Sequence, residues 1–276
     1  MALDDPEHYA ALSVRYGSQV RPDHILWNDT IAVQLAHRSV RTYRPDALPE
    51  HIIETLAATA QSAASSSNQH LWSLIAVTDQ DVRSRLAVLA RNQRHIEEAP
   101  LILLWVADVA RTRHIGQHRK VPTDGTHYLD SFLTAAIDAA LAAQNAAVTA
   151  ESLGLGTVYI GALRSHPEEV ASLVGLPDGA VVLFGLVVGY PDPARVTSVK
   201  PRPSQAIVVH RDRFAGHADA GTLETYDAAS REFQKGQGQA ETGWIEPAIA
   251  RMADAAALGG RDRLREALNN RGFRLL

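Results

Sequence analysis

The chain has 276 residues, 46% of them hydrophobic, with a formal net charge of -4 and a sequence pI of about 6.3. It has no cysteine, which excludes disulfides, thiolate nucleophiles, iron–sulfur clusters and cysteine-ligated zinc. There is no basic excess of the kind that nucleic-acid binders carry, so we expect no nucleic-acid partner. The acidic start of the chain lacks the apolar core of a signal peptide, and we find no unbroken apolar run of membrane-spanning length. These features predict a soluble, cytoplasmic protein without a membrane partner, built as one large domain or two small ones.

Local patterns predict the following elements in chain order. Residues 1–28 form a loosely patterned N-terminal extension. A first helix begins near Asp29, a plausible N-cap, and a second spans residues 49–63 with a proline in its first turn. Five strands are expected, at residues 72–78, 101–107, 157–160, 181–188 and 207–210. Two of them, LILLWVA and VVLFGLVV, are apolar on both faces, as in central strands covered by helices on each side.

The longest helix is predicted over residues 129–153. Its large apolar residues recur at helical spacing in one stripe. These are Leu129, Phe132, Leu133, Ala136, Ile137, Ala140 and Leu141. Its opposite side is rich in alanine, so we expect it to be buried on all sides, in a central position and at a dimer interface. After it, Ser165 and Glu168 have the spacing of a capping box that opens a short helix. Helices and strands mix without strict alternation, which predicts an α+β fold with a mixed central sheet flanked by helices.

Several common catalytic motifs are absent from the sequence. The segment GLGTVYIG resembles a dinucleotide fingerprint, but its third glycine position is Tyr159 and it follows a helix and precedes a strand. There is no P-loop, no GxSxG and no HExxH. His114 and His118 could share a helix face, but no third ligand stands at a suitable spacing, so we expect no metal site. The chemistry is therefore expected to be carried by an organic cofactor.

Three polar segments far apart in the sequence stand out together: His37-Arg38-Ser39-Val40-Arg41, Ser65-Ser66-Ser67-Asn68 and Lys200-Pro201-Arg202-Pro203. Each alone is typical of an ordinary helix end, surface loop or connector. Jointly they offer what a phosphorylated flavin needs. Cations and hydroxyls suit its phosphate, a fixed cation suits the edge that becomes anionic on reduction, and an amide suits its pyrimidine edge. The candidates are Arg38, Arg41, Lys200, Arg202, Ser39, Ser65 to Ser67, Gln93 and the turn from Tyr159 to Ala162.

The order of these segments resembles the nitroreductase family. The resemblance is carried by HRSVRTYRPDALP, AQSAASSSNQHLWSLIAVTD, NQRHIEEAP, AAQNAAVTAESLGLGTVYIGALR, LFGLVVGYP and KPRPSQAIVVHRDRF. More narrowly, the chain is similar to the NADPH-preferring branch, of the major oxygen-insensitive nitroreductase and flavin reductase P type. The match covers about residues 29–276.

The resemblance implies a homodimeric α+β flavoprotein with FMN held between subunits and the long helix at their interface. It implies an FMN-dependent NAD(P)H oxidoreductase that reduces nitro compounds, quinones or free flavin by ping-pong, two-electron hydride transfer. The core FMN-binding domain is then expected at residues 29–215. Residues 216–276 form a C-terminal helical excursion that completes the same domain or embraces the partner subunit.

The family's site residues carry over to matching positions. His37, Arg38, Ser39 and Arg41 match the first FMN motif, with Arg41 at the N1–O2 edge as electrostatic stabiliser and Ser39 at the phosphate. Ser65, Ser66 and Ser67 match the loop around the ribityl chain and ring, and Gln93 matches a glutamine at the pyrimidine edge. Tyr159, Ile160, Gly161 and Ala162 match the segment whose backbone approaches N5. Lys200 and Arg202 match the basic pair at the phosphate. No side-chain acid or base is implied.

Two positions depart from the family pattern. Ala162 replaces the second glycine of YIGG, which would be strained in a left-handed conformation. His70 stands where a glutamine is usual. NADPH is favoured as donor over NADH, with Lys235 as the one candidate for its 2′-phosphate. Two alternatives remain open, namely other chemistry on this scaffold (a reductive dehalogenase or a flavin-fragmenting lyase) and a non-enzymatic flavin-sequestering dimer.

Overall fold

A computed structural model describes residues 6–17, 24–195 and 197–276. The helices are α1 Pro6–Tyr16, α2 Asp29–Ala36, α3 Ile52–Gln61, α4 Gln80–Leu89, α5 Arg94–Glu98, α6 Ala110–Arg119, α7 Leu129–Ser152, α8 Pro167–Leu173, α9 Gln205–Val208, α10 Ala220–Gly236, α11 Ile245–Arg251 and α12 Leu264–Asn270. The strands are β1 Trp72–Val77, β2 Leu101–Asp108, β3 Gly156–Ile160 and β4 Ala180–Gly189. Short 3₁₀ helices occur at Ser66–Asn68, Asp124–His127, Gly161–Ser165 and Ala256–Leu258.

The described residues group into two compact units. The first contains Met1–Arg38 and Thr197–Leu258, and the second contains Ser39–Val196 and Gly259–Leu276. The boundary therefore falls inside the first basic motif, between Arg38 and Ser39.

The second unit is built on a four-stranded sheet of order β1-β2-β4-β3 in which each strand pair is antiparallel. Among the described residues, parallel pairing is confined to an isolated bridge between Ser39 and Thr157. The α+β class is confirmed, and four of the five predicted strands are present within a residue or two of their expected bounds.

The central strands β2 and β4 are buried on both faces, as their unbroken apolar sequences predict. Side chains of β2 alternate between two cores. Ile102, Leu104 and Val106 pack with α4, α5 and α8, while Leu103 and Trp105 pack with α3 and α7. Each large aliphatic side chain buried this way contributes on the order of 1.5–3 kcal/mol. Burial on both faces of the sheet thus explains how one layer of strands supports two layers of helices.

The expectation that α7 is buried on every side is wrong for the single chain. Its small-residue face is buried against α3 and the sheet, because alanine side chains let the backbones come close. The stripe of larger residues points to the surface instead: Leu129, Leu133, Ile137 and Leu141 are each 44–57% exposed. Among the described residues, α7 is also the one helix long and apolar enough to cross a membrane by length and composition alone. A core helix of a soluble protein passes the same test, so this is weak evidence for a span.

The strand expected at residues 207–210 is also wrong. The structure places the short helix α9 there, followed by extended chain at Val209. A strand is stable only when a neighbour completes its hydrogen-bond ladder, and the four described strands all lie in the other unit. Val208 and Val209 are largely exposed, so these apolar residues, which suggested a strand, do not belong to the core.

The first helix starts at Asp29 as predicted, but its cap and the starts of two other helices differ from the sequence predictions. Asn28, one residue before Asp29, caps α2 by accepting a hydrogen bond from the Ile31 N–H. The second helix becomes α-helical at Ile52, after a turn that includes Pro49. The capping box at Ser165 and Glu168 does not form. Helix α8 starts one residue later than that motif requires, and both side chains bind elsewhere, Ser165 to the Gly259 carbonyl and Glu168 to Arg263.

The predicted extension is not loosely patterned where the structure describes it, because residues 6–16 form helix α1. Residues 1–5 and 18–23 of that extension lie outside the described residues. Within α1, Leu12 and Arg15 are buried. A buried arginine requires hydrogen-bond partners, and Arg15 donates to three backbone carbonyls.

Candidate functional site

The segment Ser39-Val40-Arg41 lies alongside strand β3. The Val40 N–H donates to the Thr157 carbonyl at 2.9 Å, and Val40 is buried. Gly156 makes this approach possible, because a Cβ there would come within 2.7 Å of Val40 Cγ2. The second half of the first predicted motif is thus held beside the strand that ends in Tyr159 and Ile160.

Arg41 is exposed and acts electrostatically on two aromatic rings. Burial chiefly lowers the pKa of His95, and the charge of Arg41 lowers it further. Burial raises the pKa of Tyr43, and Arg41 opposes that rise. The Tyr43 hydroxyl donates to the Val40 carbonyl at 2.6 Å. The structure therefore brings Arg41 near His95, two residues after the predicted site residue Gln93.

Gln93 is the N-cap of α5, although its side chain does not cap the helix. Its amide Nε2 instead donates to the Ala90 carbonyl at 2.8 Å. Arg91 and Asn92 before it adopt left-handed conformations, which turns the chain sharply into α5. Close by, His95 Nε2 is buried and has no hydrogen-bond partner among the described residues.

The serine loop is held by a residue that the sequence analysis missed. Asp138 of α7 is 2% exposed and accepts three hydrogen bonds from the loop. Its Oδ2 accepts from Ser65 Oγ at 2.7 Å and from the Leu71 N–H at 3.2 Å, and its Oδ1 accepts from the Ser66 N–H at 3.2 Å. A signal was available in the sequence, since Asp138 is an acid on the alanine face of α7, where burial requires partners.

The rest of the loop has an unusual backbone. Ser67, Asn68 and His70 all have positive φ, between 49° and 57°. The His70 ring pairs with Asn68 Oδ1 at 2.8 Å, and the backbone N–H of His70 donates to Ser65 Oγ at 2.7 Å. The histidine that departs from the family pattern therefore takes part in holding the loop.

The segment from Tyr159 to Ala162 ends β3 and opens a 3₁₀ helix. Ala162 does not have a positive φ, so the strain expected from replacing glycine is not present. Tyr159 is 37% exposed, and its ring packs edge-on against Phe184. Burial raises the pKa of the Tyr159 hydroxyl, and the nearby carboxylate of Glu151 adds to the rise.

A row of aromatic side chains connects these segments across the sheet. Tyr159 contacts Phe184, Phe184 pairs in register with Trp105, and Trp105 contacts Trp72, which directly follows the serine loop. Each of the four strands contributes one ring. This row of rings links the two ends of the candidate site in the second unit. It could not be predicted from the sequence, because the sequence does not show which residues of neighbouring strands lie side by side.

The other predicted residues belong to the first unit. His37 is the C-cap of α2, with Arg38 directly after it. Lys200 and Arg202 lie on residues 197–204 of the same unit, which form neither helix nor strand, and Lys200 Nζ is 5.8 Å from the centre of the Phe233 ring. Lys235 is exposed in the last turn of α10.

The same segment, residues 197–204, contacts the end of α10. Ser198 exchanges two hydrogen bonds with the Gln237 side chain, at 3.0 and 3.3 Å. The structure thus brings Lys200 and Lys235 to neighbouring elements, although they are distant in sequence.

His114 and His118 share one face of α6, with their rings 4.3 Å apart. Within the described residues, no group of three or more histidine, aspartate or glutamate side chains is placed to hold a metal.

Comparison with known proteins covers nearly the whole chain. The family model described as Nitroreductase family matches residues 35–190, and that of the Nitroreductase family, C-terminal domain, matches residues 200–276. A Bacillus subtilis FMN reductase (NADPH) is 33% identical over 254 residues, which cover 89% of this chain and 98% of that protein.

Two solved structures are similar in sequence and fold. B. megaterium NfrA2 has a TM-score of 0.83 at 35% identity, covering 91% of this chain and 100% of that one. The NADPH:FMN oxidoreductase from Vibrio harveyi, complexed with NAD+, has a TM-score of 0.78 at 31% identity, covering 90% and 99%.

These matches extend over both units and agree in fold, cofactor and type of reaction. The chain therefore belongs to the nitroreductase family, as an NAD(P)H-dependent FMN oxidoreductase.

Proposed function

We propose that this enzyme takes hydride from NADPH, or less well from NADH, and passes two electrons to a nitroarene, a quinone or free flavin in a ping-pong cycle. Its relatives include an FMN reductase (NADPH) and an NADPH:FMN oxidoreductase, and these names support NADPH as the donor and flavin as an acceptor. The observation that carries the proposal is the assembly of Arg41, the Gln93–His95 segment and the end of β3 in one unit.

The residues present fit FMN. The second unit offers hydroxyls on a loop with left-handed turns, an exposed guanidinium and a buried ring nitrogen of His95 without a partner among the described residues. The first unit offers four cationic or potentially cationic side chains in two short segments: His37, Arg38, Lys200 and Arg202. Donors of these kinds suit a polar ring edge, a ribityl chain and a phosphate.

We propose that these residues bind the following parts of FMN and NADPH. Arg41 faces the N1–O2 edge and Gln93 the pyrimidine edge, while Ser65, Ser66 and Ser67 surround the ribityl chain and ring. The backbone of Tyr159, Ile160, Gly161 and Ala162 approaches N5. Ser39, His37, Arg38, Lys200 and Arg202 hold the phosphate. Lys235 meets the 2′-phosphate of NADPH.

Bound FMN supplies the redox chemistry, and the protein binds, orients and tunes it. Arg41 stabilises negative charge that develops at the N1–O2 edge, because a fixed cation needs no reorganisation when that charge forms. Asp138 orients the serine loop, and the backbone N–H groups at the end of β3 would lie beside a bound flavin ring. We assign no side-chain acid or base to this cycle.

The assembly and location of the enzyme are part of the proposal. The exposed stripe of α7 supports a homodimer with the helix at its interface. We place the enzyme in the cytoplasm, and we propose that residues 216–276 complete the core domain of residues 29–215 or embrace the partner subunit.

The first test is anaerobic reduction of the purified protein followed by its visible spectrum. The flavin bands should bleach faster with NADPH than with NADH and should return when a nitroarene or quinone is added. Bands that bleach but never return with any such acceptor would favour a dehalogenase or lyase. Bands that do not bleach at all would favour a flavin-sequestering protein.

The role of Arg41 is tested by Arg41→Ala. Some FMN binding should remain, while reduction by NADPH should slow by about tenfold or more, since one preorganised charge is lost. Arg44→Ala is the matched control, because Arg44 is an exposed arginine three residues away that pairs with Asp46. Stopped-flow rates for Arg41→Ala equal to those of the control would refute this role.

A further inference from the structure

Arg15 of α1 is a buried cation that donates to three backbone carbonyls. It is 3% exposed. Its Nη2 donates to the carbonyls of Leu35 and His37, and its Nη1 donates to the carbonyl of Lys200, each at 2.7 Å. In addition, the Arg202 N–H donates to the Arg15 carbonyl at 2.9 Å.

These contacts join two segments that are distant in the sequence. Leu35 and His37 end α2 directly before Arg38, and Lys200 and Arg202 form the second basic segment. All of these residues belong to the first unit. Arg15 therefore cross-links the backbones that carry the cations assigned above to the FMN phosphate.

Helix α1 is itself anchored at both ends. The His8 ring stacks on Trp27 with centroids 4.1 Å apart, and Leu12 is buried. The family models match residues 35–190 and 200–276, so α1 lies outside the residues they match. It is thus an addition to the matched family segments, packed against the start of one of them.

We propose that α1 is a positioning element for the phosphate end of the FMN site and that Arg15 is its positioning residue. This inference rests on the proposed assignment of His37, Arg38, Lys200 and Arg202 to the phosphate. The guanidinium of Arg15 donates to carbonyls of both segments, so we assign it a positioning role that acts through their backbones. The planar fork suits this task because its nitrogens can bind carbonyls from different directions at once.

The test compares FMN with riboflavin, which has the same ring and ribityl chain but no phosphate. The full chain, freed of flavin, is titrated with each ligand by flavin fluorescence. Arg15→Ala should weaken FMN binding about 10- to 100-fold, the size expected when charged hydrogen bonds that order a site are lost. Its riboflavin affinity should stay within twofold of the parent protein.

Companion variants make the comparison specific. Arg15→Lys should weaken FMN binding less than Arg15→Ala, because an ammonium keeps the charge but not the fork. Arg213→Ala removes an exposed positive charge from the same unit and should change neither affinity. His8→Ala loosens the other end of α1 and should shift FMN affinity in the same direction as Arg15→Ala, which keeps the test available if Arg15→Ala does not fold.

Arg202→Ala separates failure of this inference from failure of the site assignment. If it lowers FMN affinity selectively while Arg15→Ala has no effect, the phosphate assignment stands and the role of α1 is wrong. If Arg202→Ala leaves the preference for FMN over riboflavin unchanged, the assignment itself is wrong. Equal weakening of FMN and riboflavin by Arg15→Ala would reduce Arg15 to a general stability residue and overturn the proposal.

Discussion

At the scale of single residues, the site depends on buried polar groups that are not themselves proposed ligands. Asp138 accepts hydrogen bonds from three donors of the serine loop, and Arg15 donates hydrogen bonds to three carbonyls in the other unit. Both side chains are almost fully buried, where an unpaired charge is costly. Such residues hold the backbone that presents the ligand groups, so their removal is expected to affect binding indirectly.

Asp138→Asn should loosen the serine loop. The substitution replaces one carboxylate oxygen, which accepts hydrogen bonds from the loop, with an NH₂ group, which cannot accept them. The loss should lower the free energy of unfolding by about 1–3 kcal/mol. FMN and riboflavin affinities should fall together, because the loop is assigned to ribityl chain and ring. Urea unfolding and flavin titration measure the two effects.

Asp130→Asn is the control for this variant, since Asp130 is an exposed acid in the first turn of the same helix. A loss confined to FMN, with riboflavin unchanged, would contradict the assignment of the serine loop.

At the scale of elements, an ion pair ties the C-terminal helix α12 to α8. Arg263 donates to both carboxylate oxygens of Glu168, at 2.9 and 3.0 Å, and Asn270 donates to Glu168 Oε1 at 3.2 Å. The hydrogen bonds from Arg263 lower the pKa of Glu168 from 4.5 to about 2. The pair thus explains why α12 packs with α8 in the second unit.

This ion pair predicts a dependence of stability on pH. A carboxylate with a depressed pKa stabilises the folded state above its unfolded pKa, and that contribution is lost as the pH falls from about 4.5 to about 2. Glu168→Gln should therefore lower the unfolding free energy by about 1 kcal/mol at neutral pH, a value discounted for partial solvent exposure. The difference from the parent protein should shrink steadily below pH 4.5.

Denaturant unfolding at a series of pH values measures this difference. Glu169→Gln changes an exposed neighbour that pairs with His166, and it should have little effect at any of these pH values. A gap between Glu168→Gln and the parent protein that stays constant down to pH 2 would show that the ion pair is not its source.

At the scale of the whole molecule, the unpartnered stripe of α7 calls for a second copy of the chain in the proposed dimer. Four large aliphatic residues lie at four-residue intervals on one exposed face: Leu129, Leu133, Ile137 and Leu141. Contiguous exposed apolar surface of this kind marks an interaction site more often than isolated apolar residues do.

Ile137→Asp should disrupt that assembly. A charge in the middle of an apolar interface must be desolvated without a partner, so the measured mass should shift from two chains towards one. Light scattering after size exclusion gives the mass. Val88→Asp, at an exposed apolar residue outside the stripe, should leave the mass unchanged. A protein that keeps its mass after Ile137→Asp would exclude this face of α7 as the interface.

Much of the fold could be predicted because its signals are local. The unbroken apolar runs of β2 and β4 predicted central strands, and the spacing along α7 predicted a long helix, since both patterns follow from the backbone period. The strand expected at residues 207–210 was wrong because an isolated apolar run cannot show whether a neighbouring strand exists. Residues 6–16 were missed as a helix because α1 owes its stability to partners elsewhere in its unit.

The sequence by itself determined the fold class, the family and the set of candidate cofactor-binding residues, because residue types, their order and their spacing are written in it. Only the tertiary structure decided which face of α7 is buried, that Ala162 is unstrained, and that Asp138 and Arg15 hold the loops of the candidate site. Those facts depend on contacts between segments that are far apart in the chain. Such contacts leave no periodic signal, because the partner of a buried charge is set by packing in three dimensions.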